Sequence, residues 1–214
     1  MENIAIYGAG GFGREVLTLI EQINERENKY NFIGFFDDGI KRGEMINGFP
    51  VLGGISVLNH LEERLALVLA IGSPEMKKSV FRKIRNSNLL FPSLIHPSAQ
   101  ICAARYVELE DGCIVCAGCI ITVNVVIHKF VILNLSCTVG HDTEIGEFSS
   151  LMPAVNISGE VVIGKEVYVG TGAKIINQLS IGDGTIVGAG AVVAKSLPSN
   201  CTAVGIPAKP VKFH

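Results

Sequence analysis

The chain has 214 residues, 48% hydrophobic and only 18% charged against about 25% in an ordinary domain, with a formal net charge of −2. That length supports one large domain or two small ones with a substantial core and excludes disorder, while the charge balance argues against a nucleic-acid-binding surface. The six cysteines follow no secretory leader, since Met1-Glu2-Asn3 runs straight into Ile-Ala-Ile-Tyr, so the expected compartment is the reducing cytoplasm. No membrane insertion is expected either: the apolar run 112–128 falls short of the roughly 20 residues of a bilayer helix and is rich in β-branched side chains.

In chain order, the hydrophobic pattern predicts strands over 3–7, 32–36 and 65–71 and helices over 12–26, 56–63 and 75–86. Strand and helix alternate as in a parallel α/β sheet, so residues 1–92 are expected to form a small Rossmann-like subdomain. Between its first strand and helix lies Gly8-Ala9-Gly10-Gly11-Phe12-Gly13, a G-x-G-x-x-G loop, and Asp37-Asp38 closes the second strand. Backbone amides at such a helix N-terminus hold a pyrophosphate, and an acid at the next strand end holds a ribose. About 90 residues accommodate one mononucleotide half where the dinucleotide fold has two. The same cradle therefore suits a nucleoside diphosphate sugar.

From about residue 109 to 193 a six-residue repeat keeps strict register. Its first position is Leu, Ile or Val fifteen times in succession, from Leu109 through Val115 and Ile121 to Val193. The fifth position, Cys113 to Ala191, is mostly small or β-branched. Positions five and one lie two residues apart and share a face of a strand, so each hexad supplies a short strand with two inward side chains and then a corner. Glycine recurs at position two, at Gly140, Gly146, Gly164, Gly170, Gly182 and Gly188, where a sharp turn is expected to need a permissive backbone. Three hexads per triangular coil make a parallel β-helix over 93–214 with a C-terminal tail. Position six points outward, and the aliphatic row Ile114, Ile120, Val126 and Ile132 is expected at a subunit interface.

These features resemble the hexapeptide-repeat acyltransferases, whose β-helix is left-handed. With Tyr-Gly-Ala-Gly-Gly-Phe-Gly (7–13), Gly-Phe-Phe-Asp-Asp (34–38), Gly-Phe-Pro-Val-Leu-Gly (48–53), Ala-Ile-Gly (70–72), Ile-His-Pro-Ser-Ala (95–99) and Val-Gly-Ile-Pro-Ala-Lys-Pro (204–210), the whole chain is similar to the sialic acid O-acetyltransferase and bacillosamine N-acetyltransferase type. The resemblance implies an acetyl-CoA-dependent enzyme of bacterial surface glycan biosynthesis. It implies acetyl-CoA as donor, a sugar or nucleotide-linked amino sugar as acceptor, and a homotrimer. Gly10, Gly11, Phe12, Asp37, Asp38 and Gly72 become the implied acceptor-binding residues. Phe12 departs from the histidine that relatives often carry there.

His141, in Gly140-His141-Asp142-Thr143-Glu144, stands at an outward corner, with Val123 and Gly159 one coil before and after it. The absent side chain at Gly159 is expected to leave room for a thioester beside the imidazole. The resemblance assigns His141 as general base for direct transfer, oriented by Asp142 with Glu144 as a substitute, and places acetyl-CoA near Ser150, Gly159, Thr171 and Ala189. At Ser150 relatives often carry another histidine. His128 competes as a base but falls on a different corner. No metal is expected, because Cys113, Cys116 and Cys119 lack a second ligand pair. The alternatives weighed are a zinc lyase on the same β-helix, a nucleotide-sensing protein in which the helix only trimerises, and a serine acetyltransferase.

Overall fold

The structure, a computed structural model, describes residues 1–214 and falls into two compact units, Met1–Pro97 and Ser98–His214. The division lies slightly beyond residue 92.

The first unit is a sheet with helices. Its strands are β1 (Glu2–Tyr7), β2 (Tyr30–Phe36), β3 (Met45–Ile46), β4 (Phe49–Gly53), β5 (Leu65–Leu69) and β6 (Leu89–Leu90), in the order β3-β4-β2-β1-β5-β6. All neighbours are parallel except the β3–β4 hairpin. Helix α1 (Gly11–Glu27) buries Val16, Leu17, Leu19, Ile20 and Ile23, an apolar stripe at helical spacing. α2 (Ile55–Asn59) and α3 (Pro74–Lys83) are both shorter than their sequence pattern. One residue accounts for both ends: the Asn59 side chain donates to the Lys83 carbonyl at 2.9 Å and accepts from the Arg85 amide at 2.8 Å, replacing continued helix with tertiary bonds. The β3–β4 hairpin is additional to the strands that the hydrophobic pattern predicts, and its Asn47-Gly48 turn, with φ of 48° and 84°, is a strong hairpin signal.

The second unit is a triangular prism of three parallel ladders, the left-handed β-helix expected of the repeat. One ladder runs through 114–115, 132–133, 150–151, 168–169 and 186–187 and ends in an antiparallel pair, Cys201–Val204 with Lys209–Phe213. The second runs from Gln100–Ile101 through 120–121, 138–139, 156–157 and 174–175 to Val192–Val193, and the third from Val107–Leu109 through 125–127, 144–145 and 162–163 to Ser180–Ile181. Side chains at position one are buried throughout apart from the half-buried Leu109 at the open end. They stack eighteen residues apart, as in Ile121–Val139–Ile157–Ile175. A dry column of Leu, Ile and Val along each ladder is the core of the prism.

Two expectations need correction. The left-handed backbone of each corner sits at position four, not two: fourteen successive residues from Gly112 to Gly190 have φ between 53° and 74°. Position-two glycines serve close stacking instead, since a Cβ on Gly140 would lie within 2.6 Å of the Gly159 nitrogen. The outward aliphatic row is also not uniformly free. Ile114 and Ile132, paired in one ladder, are 0% and 1% exposed within the single chain, whereas Ile120 on another ladder is exposed. Successive hexads present different prism faces, so the row never lay on one surface.

Candidate active site

The His141 corner joins the second ladder to the third. His141 Nδ1 lies 2.7 Å from Asp142 Oδ2, and the two side chains are about half exposed, at 55% and 49%. Asp142 has φ 55°, the corner conformation, which a short carboxylate side chain tolerates. Asn124, one coil earlier, donates from Nδ2 to Asp142 Oδ1 at 2.9 Å. This bond, and then the imidazole contact, holds the Asp142 carboxyl below the usual carboxylate range. The coil on the other side supplies Gly159, whose hypothetical Cβ would collide with Cε1 and Nε2 of His141. The missing side chain therefore makes room for the imidazole itself rather than for a thioester beside it. Such a half-exposed ring, with one nitrogen on a carboxylate and the other beside a glycine that sends no side chain against it, can take up and return a proton.

Glu144 does not serve His141. It accepts from His128 Nε2 at 2.8 Å, while Glu110 Oε1 lies 3.2 Å from His128 Nδ1. Glu144 and then Glu110 raise the His128 pKa against the opposing effect of burial. His128 lies on the corner between the third and first ladders, beside a cleft of about 430 Å³ lined by Lys129, Glu147, Lys165 and Asp183. The two histidines do not converge.

Thr171 and Ala189 stack on the remaining corner, where the Gly190 amide donates to the Thr171 carbonyl at 2.8 Å, and both are exposed. That corner and the His141 corner bound the same prism face. Along it runs a polar ladder the sequence reading missed: Asn156 Nδ2 donates to Thr138 Oγ1 at 2.8 Å, and Lys174 Nζ donates to the Ala154 carbonyl at 3.0 Å and to Asn156 Oδ1. Ser150 is apart from these groups, fully buried between Ile132 and Tyr168 of the first ladder, and offers no surface to a donor within this chain. Eighteen-residue spacing was the available signal for Asn124 and for the Thr138–Asn156–Lys174 column.

In the first unit, Gly10, Gly11 and Gly72 gather at the carboxyl ends of β1 and β5, where strand order reverses on either side of β1. Such a switch point forms a ligand crevice. α1 and α3 both begin there, and a Cβ on any of the three glycines would touch nothing within 4 Å, so the packing of the chain does not require glycine at these positions. Gly13 differs, since its Cβ would strike the Gly8 carbonyl. Phe12 is half-buried in the first turn of α1. Asp37 accepts from the Ala9 amide at 2.9 Å and the Gly39 amide at 2.8 Å; Asp38 accepts from the Ile55 amide at 2.8 Å and the Tyr7 hydroxyl at 2.6 Å. Both carboxylates thus brace the crevice loops.

A hexapeptide prism with a proton-transfer corner, preceded by a nucleotide-type crevice, defines a hexapeptide-repeat acyltransferase with an added N-terminal domain. The PglD N-terminal domain model matches residues 3–84, and the bacterial transferase hexapeptide model matches residues 160–195. GDP-perosamine N-acetyltransferase of Escherichia coli O157:H7 is 30% identical over 218 residues, covering 99% of this chain and 97% of that one. Perosamine N-acetyltransferase from Caulobacter crescentus, solved as a histidine-to-asparagine mutant with CoA and GDP-perosamine, superposes with a TM-score of 0.90 at 31% identity, covering 99% of this chain and 98% of its own. The acetyltransferase domain of PglB from Neisseria gonorrhoeae FA1090, in complex with acetyl coenzyme A, gives 0.88 at 32% identity over 98% and 99%. The chain belongs to the PglD-type hexapeptide-repeat sugar acetyltransferases, which use acetyl-CoA. The full-length kinship displaces the zinc-lyase, nucleotide-sensor and serine-acetyltransferase alternatives. No helix is long and apolar enough to cross a membrane, and no group of three or more His, Cys, Asp or Glu side chains is placed to hold a metal ion.

Proposed function

We propose that this chain acetylates the amino group of a nucleotide-linked amino sugar, with GDP-perosamine the first candidate, and works as a cytoplasmic homotrimer. The observation that carries the reading is the His141–Asp142 contact of 2.7 Å on a corner whose next coil presents Gly159 to the ring. Full-length relatives named for GDP-perosamine support the choice of acceptor. Two helix N-termini at the crevice of Gly10, Gly11 and Gly72 suit a diphosphate. The face between the His141 and Thr171 corners is the proposed bed for the donor.

In the proposed step, neutral His141 removes a proton through Nε2 as the acceptor amine forms its bond to the thioester carbonyl carbon. Asp142 holds the Nδ1 proton and stabilises the imidazolium. The Gly159 amide donates to the developing oxyanion. Collapse breaks the carbon–sulfur bond, and His141 returns the proton to the departing thiolate, leaving an amide and free thiol. His141→Ala is expected to lower kcat by about 10²–10⁴-fold, the usual weight of a general base. Thiol release with GDP-perosamine checks it, and wild-type turnover in the variant overturns the assignment of the base.

A further inference from the structure

Four residues eighteen apart, Asn124, Asp142, Glu160 and Gln178, occupy the fourth position of successive coils on the His141 corner, all with left-handed φ between 53° and 61°. They form two separate pairs. Asn124 Nδ2 donates to Asp142 Oδ1 at 2.9 Å, and Gln178 Nε2 donates to Glu160 Oε2 at 3.2 Å. Glu160, the charged neighbour of Asp142 in this column, is thus directed to Gln178. Asp142 spends one oxygen on Asn124 and the other on His141.

A carboxylate rotating freely about its last bond would offer His141 either oxygen, or neither, because both side chains are about half exposed to water that competes for the same lone pairs. The amide on the opposite oxygen removes that freedom. Through Nδ2 it donates to the carboxylate, so it also favours the ionised form that the imidazolium needs. We propose that Asn124 is a positioning residue for the transfer reaction, holding the Asp142 carboxylate so that Oδ2 faces His141 Nδ1. This rests on the reading of His141 as the base.

The test uses two variants that tolerate the left-handed backbone, Asn124→Gly and Asn124→Asp. Loss of the amide in Asn124→Gly is expected to lower kcat by about 10–100-fold, the scale of a misplacement of up to about 1 Å, with KM for acetyl-CoA within about twofold of wild type. In Asn124→Asp two carboxylates share a proton. Protonated, the new side chain donates as the amide did; ionised, it repels Asp142. Its pH profile of kcat should therefore fall on the alkaline side through an ionisation that wild type and Asn124→Gly lack. A structural staple alone would change melting temperature but not add that limb. Wild-type kcat in Asn124→Gly together with a wild-type pH profile in Asn124→Asp overturns the proposal. His141→Ala measured alongside separates the failures: if it is inactive while the Asn124 variants behave as wild type, only the positioning role falls, and if it is fully active, the base falls with it.

Discussion

His141 is confined by contacts of two kinds, a carboxylate at Nδ1 and a bare backbone at Nε2. The second makes a sharp prediction. Gly159 does not have positive φ, so Gly159→Ala should fold, but its methyl would occupy the place of the imidazole and displace it. We expect kcat to fall by about 10²-fold with little change in melting temperature, measured by thiol release and by thermal unfolding. The site was partly legible here. His141, Asp142 and Gly159 follow from one corner and one eighteen-residue step, and the same step applied to Asp142 reaches Asn124. Ser150 is a sixth position of the first ladder, a placement the hexad register gives, but its burial within the chain was not legible, because the cover over that face comes from tertiary packing rather than from the repeat. Glu144 was misassigned because a strand residue two positions from a corner turns toward the next corner, where His128 stands.

The corner is the repeating element of the prism, and its chemistry differs from column to column. His128 sits between Glu110 and Glu144, whose carboxylates hold its pKa above the ordinary imidazole value. A group whose folded pKa is raised stabilises the fold fully below its unfolded pKa and loses that contribution as pH rises through the folded value. The melting temperature of wild type should exceed that of His128→Gln most near pH 6, with the difference shrinking as pH rises through the raised folded value and the imidazole becomes neutral in both states. A partly exposed pair of this kind contributes under about 1 kcal/mol, so the difference should be at most about 2–4 °C. Hexad periodicity revealed the buried columns at positions one and five because burial selects residue type there. It could not reveal the left-handed position four, where Phe130, Phe148 and Glu166 stand beside Gly112 and Gly172, since the geometry is imposed by stacked coils rather than by local preference. In the first unit the strand–helix alternation was readable, whereas helix ends set by the Asn59 side chain depended on a tertiary bond.

At the scale of the molecule, a nucleotide-type crevice and a proton-transfer prism are joined in one chain of 214 residues. The proposed trimer predicts a light-scattering mass of three chains at micromolar protein for wild type and for His141→Ala alike, since an exposed corner histidine has no part in the core; a monomer would contradict it. The measurement that bears most directly on the whole account is thiol release from acetyl-CoA with GDP-perosamine as acceptor, run beside UDP-4-amino sugars and CMP-sialic acid, with His141→Ala as control. Release with an amino-sugar nucleotide, lost in the variant, is the predicted result. Release that is indifferent to His141, or silence with every amino-sugar nucleotide despite bound acetyl-CoA, would contradict it.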